Sequence, residues 1–225
     1  MAGRNRTAIV IAIAGSVLAA VGLTQSFGEI TPYFTAGIGV QQRFGAVVAG
    51  GYEPGDSRWS KDLFLTDCLD VPRGIFALAQ PPARRLEFAQ SCRIVSRMVV
   101  AAMPTYSTAW LVVASSSLAL DDAAGFRSGL VESARTGANV HWLAERRSAL
   151  AAAHLDLLDD AGRAAYRQDL AALTGSNVGL DVLAARYVGN AAQRETITEI
   201  VETAPDARQR AFVDRVRRLS SGSAR

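Results

Sequence analysis

The chain has 225 residues, 49% of them hydrophobic, with 24 basic and 21 acidic side chains and a formal charge of +3. That length suits one ordinary domain plus an anchor or linker, not two full domains. The basic residues are mixed with the acids and not interleaved with aromatics in a patch, which argues against a nucleic-acid partner.

Residues 7–23, TAIVIAIAGSVLAAVGL, carry no charge and follow Arg4 and Arg6. As a helix rising about 1.5 Å per residue they reach roughly 25 Å, and the uncharged residues 24–28 extend this toward the roughly 30 Å of a bilayer core. The pattern predicts a transmembrane anchor over residues 7–27, with residues 1–6 in the cytoplasm because a basic flank stays inside. The competing reading is a cleaved secretory signal, with Ala20 and Gly22 as the small residues near the cut. Both readings export the rest of the chain. The expected location is the inner (cytoplasmic) membrane, single-pass, with the C-terminal domain in the periplasm.

Residues 28–81 contain Gly37, Gly39, Gly45, Gly50, Gly51, Gly55 and Gly74, together with Pro32, Pro54, Pro72 and Pro81. These break every apolar run, so the expectation is an irregular connector with short elements, KDLFLTDCLDV being the segment best suited to packing. From Pro82 the pattern turns helical. Leu86, Ala89, Val95 and Val99 form one face up to Pro104; Trp110, Ala114 and Leu118 form the next, then Phe126 with Leu130, and Leu143, Leu150 and Leu157. Further faces follow in Tyr166, Leu170 and Leu173; Leu180, Leu183 and Tyr187; Ile197 and Ile200; and Phe212, Val216 and Leu219. TGAN, TGSN and YVGN read as repeated stop-and-start signals, glycine turning the chain left-handed and Asn capping the next helix. The fold class is all-α: an N-terminal transmembrane helix, the connector, a helical-hairpin domain over 82–220 and a flexible tail over 221–225.

Trp110-Leu111 returns as Trp142-Leu143, and HWLAER returns as DVLAAR at Leu183. The intervals bracket the roughly 34-residue period of tetratricopeptide repeats. Trp110, Leu111, Trp142, Leu143 and Leu183 are therefore expected in a repeat core. A rival, that residues 98–120 form a second span, is disfavoured by Pro104 and by arginines on the side that should be outside. On an exported chain Cys68 and Cys92 are expected to form a disulfide, although Cys92 also shares a stripe with Phe88, Val95 and Val99 where a free thiol would pack.

His141 and His154 lack the spacing of two ligands on one helix face, and no third cysteine exists, so no metal site is expected. Asp121-Asp122 and Asp159-Asp160 stand before helix starts and read as caps, not as an acid–base pair. No cofactor or catalytic residue is assigned. Stacked helical hairpins would form a concave face, on which Tyr106, Arg146, Arg147 and Arg186 are candidates to meet a partner.

The string P-x-Y-S-x-A-W-L-x-x-A from Pro104 to Ala114, then Phe126, Leu130 and Ser133, then N-x-x-W-L-x-x-R from Asn139 to Arg146, resembles the helical-repeat domain of small membrane-anchored bacterial envelope proteins. The resemblance covers roughly residues 82–204 and implies association with cell-surface polysaccharide assembly. Counting Trp110 as the repeat tryptophan places Phe126 and Leu130 off the usual pattern. The expected function is a non-catalytic, membrane-anchored adaptor for a membrane-protein partner. The alternatives are a cleaved, soluble periplasmic binding protein and an envelope glycan-acting enzyme.

Overall fold

With no run of alternating strand residues, backbone groups are satisfied within helices, and the computed structural model, which describes residues 2–52 and 54–222, has no strand among them. The chain divides into two compact units, Met1–Cys92 and Arg93–Arg225.

The first unit opens with α1 (Ala2–Ala36), followed by α2 (Val40–Val48), α3 (Arg58–Asp70), a 3-10 turn (Val71–Arg73), α4 (Ile75–Leu78) and the start of α5 (Pro82–Ala102). Within α1, Ile11–Thr35 has a mean hydropathy of 1.6 and is long and apolar enough to cross a membrane. Met1, the first residue of the expected cytoplasmic segment, lies outside the described residues.

Residues 28–81 are not the irregular connector that their Gly and Pro content suggests. α1 continues through Pro32, whose ring is buried. Gly39 is the N-cap of α2, and Pro72 with Gly74 delimits the 3-10 turn, so these residues punctuate short helices without abolishing them. Phe44 stacks on Phe88 at 4.9 Å between centroids and meets Phe76 edge-on at 5.8 Å. A disulfide joins Cys68 of α3 to Cys92 of α5, with Cα atoms 5.8 Å apart.

The second unit holds the rest of α5, then α6 (Ser107–Ala119), α7 (Ala123–Thr136), α8 (His141–Ala152), a 3-10 turn (Leu155–Leu157), α9 (Asp160–Thr174), α10 (Asn177–Gly189), a second 3-10 turn (Ala191–Gln193), α11 (Arg194–Glu202) and α12 (Asp206–Gly222). The face Leu143–Leu150–Leu157 is cut short, because α8 ends at Ala152 and Leu157 lies on the 3-10 turn. Ser221 and Gly222 belong to α12, not to a flexible tail, and residues 223–225 lie outside the described residues.

Asp122 accepts from the Gly125 N–H at 2.8 Å and Asp159 from the Gly162 N–H at 2.9 Å, each capping a helix start. A cap of this kind contributes about 1 kcal/mol. In TGSN the cap is Ser176, which accepts from Gly179, and in TGAN the N-cap is Val140, so Asn139 does not cap. The stop-signal glycines are not left-handed; Gly50 (φ 67°) and Asp121 (φ 56°) are the described residues with positive φ. Gly137 is required by close approach, since a Cβ there would stand 2.4 Å from Ser107 Oγ.

α6 packs on α7 and α8 on α9, while α7 also meets α9 and α9 meets α10. A Cβ on Gly129 of α7 would stand 2.7 Å from the Ala114 backbone nitrogen of α6, so bare backbone lets these two helices touch. α6 is apolar around most of its circumference because it is a core helix: Ala109, Leu111, Val112, Val113 and Ala114 are buried. The core continues through Phe126, Leu130, Tyr166, Leu170, Leu183 and Ile197 to Phe212.

Candidate functional site

A helix that turns an apolar stripe inward normally keeps charge off that stripe, and two residues break the rule. Arg147 lies four residues after Leu143 on α8, and Asp169 lies three after Tyr166 on α9; both side chains are buried. Arg147 Nη2 donates to Asp169 Oδ1 at 2.6 Å, and Nε donates to the same carboxylate at 2.9 and 3.1 Å. The remaining donors reach Ser133 O at 3.1 Å and Gly137 O at 3.2 Å, and Ser133 Oγ donates to Ser107 O at 2.9 Å. One guanidinium thus ties α8 to α9 and to the end of α7. Burial pushes the Asp169 carboxyl up from its ordinary value, and the Arg147 donors oppose that push.

Beside this pair, Arg186 of α10 donates to Ser148 Oγ at 2.8 Å and to Glu145 O at 3.0 Å. Burial lowers the proton affinity of this guanidinium and raises that of the nearby Tyr166 phenol, whose hydroxyl finds no hydrogen-bond partner among the described residues. The first unit holds a comparable group: Arg43 pairs with buried Asp67, and Tyr52 faces that carboxylate. Burial pushes Asp67 up against the pull of Arg43, and it pushes Tyr52 well above the ordinary phenol value.

The candidate partner face changes accordingly. Tyr106 and Arg147 are interior, so neither is free to meet a partner, and Arg186 is spent on α8. Arg146 is half-buried, with its guanidinium 5.7 Å from the Trp142 ring centroid. Trp142, expected in the core, is 46% exposed, whereas Leu111, Leu143 and Leu183 are buried. Trp110 is half-buried and donates from its indole to Pro104 O at 2.8 Å. Asp169 and the pair Arg43–Asp67 were not singled out by sequence; the available signal was a charge standing on an apolar stripe.

Some of the exposed apolar groups of the second unit lie around two adjoining loops. These are the α7–α8 and α9–α10 loops, with His141 Nε2 3.7 Å from where a Cβ on Gly175 would stand. Val140, Trp142 and Val178 are exposed around these loops. Arg208 donates to Gly175 O at 2.9 Å and to Asn177 Oδ1 at 3.2 Å, holding the second loop from the side of α12. His154 is half-buried and meets Phe126 edge-on, and among the described residues no group of three His, Cys, Asp or Glu is placed to hold a metal ion. No family model, curated protein or solved structure matches the chain.

Proposed function

We propose that this protein is a non-catalytic adaptor tethered by α1 to the inner membrane, with its helical body in the periplasm holding a membrane-protein partner. The observation that carries the reading is the pairing of an apolar N-terminal helix with exposed Val140, Trp142 and Val178 around two adjoining, well-braced loops. An aromatic ring stacked with a guanidinium, set among small apolar side chains, is the chemistry of a protein contact. The packing of α6 on α7 and α8 on α9, with α7 beside α9, supports a degenerate helical-hairpin repeat of tetratricopeptide type. The resemblance in residues 82–204 favours a partner in the machinery of cell-surface polysaccharide assembly or export.

A photo-crosslinking amino acid at position 142 of the full chain, activated in intact membranes, tests this reading. The expected product is a discrete adduct with an integral membrane protein, lost when Val178→Asp is added. Absence of any adduct, or one insensitive to Val178→Asp, rejects the face. Intact mass of the purified chain decides the tether, since a mature start near Leu23 makes it the soluble binding protein instead.

A further inference from the structure

We propose that the start of α3 is seated in the headgroup layer of the membrane that α1 crosses, with Trp59 as its interfacial anchor. This inference rests on the anchored reading of α1 and adds a second point of membrane contact.

A bilayer core takes about 20 helical residues. Counted from the uncharged start at Thr7, that length ends near Phe27, and the next turn carries Glu29, the first carboxylate of the chain. An ionised carboxylate is costly in hydrocarbon, so Glu29 marks the depth at which the helix leaves it. Glu29 Oε1 accepts from the backbone N–H of Ser57 at 2.7 Å, and Ser57 is the N-cap of α3. That bond, together with the packing of α1 on α3, holds the first turn of α3 level with the membrane exit of α1.

Trp59 stands two residues on, a rise of about 3 Å along α3. It is 73% exposed, although an indole this large is among the most buried side chains of an ordinary domain. Within the five residues that follow Glu29, α1 itself keeps Ile30, Tyr33 and Phe34 exposed. Trp and Tyr collect at the membrane–water boundary because the ring enters the acyl edge while the N–H or O–H stays hydrated. Continuity with the spanning helix, fixed by the Glu29–Ser57 bond, makes the lipid boundary the occupant of this surface.

The test uses the full chain with Trp110→Phe and Trp142→Phe, which leaves Trp59 as the only tryptophan, reconstituted into phosphatidylcholine vesicles brominated either near the headgroup or near the chain end. The expected result is loss of Trp59 emission with the shallow bromines and a much smaller loss with the deep ones. A parallel chain with Trp59→Phe, the same two substitutions and Leu18→Trp reports on α1 separately. Deep quenching at position 18 with water-like, unquenched emission from Trp59 keeps the anchor and overturns the inference. No quenching at either position removes both. Trp59 emission shielded from the bromines and from aqueous iodide alike would mean that protein, not lipid, covers the ring, and this also overturns the inference.

Discussion

Arg147 and Asp169 illustrate how differently a buried charge behaves alone and in company. Because three N–H···O contacts join them and backbone carbonyls take the remaining Arg147 donors, the pair is satisfied in the interior of the second unit. Removing one partner strands the other charge away from water. Asp169→Ala or Arg147→Ala is expected to cost about 3–5 kcal/mol in urea unfolding, while the double replacement Arg147→Met/Asp169→Leu recovers most of that loss. If the double variant instead lost the sum of the two single losses, the pair would not be acting as a unit. A second residue-scale expectation concerns pH. Burial raises both Tyr52 and Tyr166, so the folded protein keeps two phenol protons that the unfolded chain releases near pH 10. Their contribution is fully present below about pH 10 and is lost as the pH rises above it. Phenolate absorbance should accordingly show a late component that coincides with unfolding and shrinks in Tyr52→Phe and in Tyr166→Phe; two phenols that ionise early in the folded state would contradict it.

Helix contacts are set by the smallest side chains as much as by the largest. On α7, Gly129→Ala would gain helix propensity but drive a Cβ into the α6 backbone, and overpacking of that kind costs about 1–3 kcal/mol. Gly45→Ala in α2, where nothing lies within 4 Å of the new atom, should instead stabilise by about 0.5–1 kcal/mol. Thermal unfolding of the two variants should move in opposite directions. The Trp-Leu pair of α8 divides in a similar way. Leu143→Ala is expected to cost about 2–5 kcal/mol because its side chain is buried, and Trp142→Ala to cost less because nearly half of its surface is already in solvent. A large stability loss from Trp142→Ala would restore it to the core and remove it from the exposed face.

At the scale of the molecule, the first unit combines a long apolar helix with shorter helices, and the disulfide closes the stretch between Cys68 and Cys92. A loop of this size contributes on the order of 3 kcal/mol by limiting the unfolded chain. Cys68→Ser/Cys92→Ser should therefore speed tryptic cleavage at Arg73, Arg84 and Arg85, and a cleavage rate unchanged from the parent would show that packing alone holds α3 to α5.

What the sequence determined by itself is what depends on neighbours along the chain. An uncharged run predicts the apolar helix, period 3.6 predicts the helices after Pro82, and a carboxylate before a helix start predicts the caps at Asp122 and Asp159. Cys68 and Cys92 were paired from compartment and count, a constraint also legible without coordinates. Tertiary structure decided the rest. Helices form in 28–81 because Gly39, Pro72 and Gly74 stand at helix boundaries, Pro32 is buried within α1 and α2 tolerates Gly45 in its interior, which composition alone does not reveal. Tyr106 and Arg147 are buried and Trp142 is exposed because the facing helices choose which side of each stripe is covered, and that choice depends on residues far away in sequence. Arg147 is the clearest case: its charge reads as surface on α8 until α9 brings Asp169 against it.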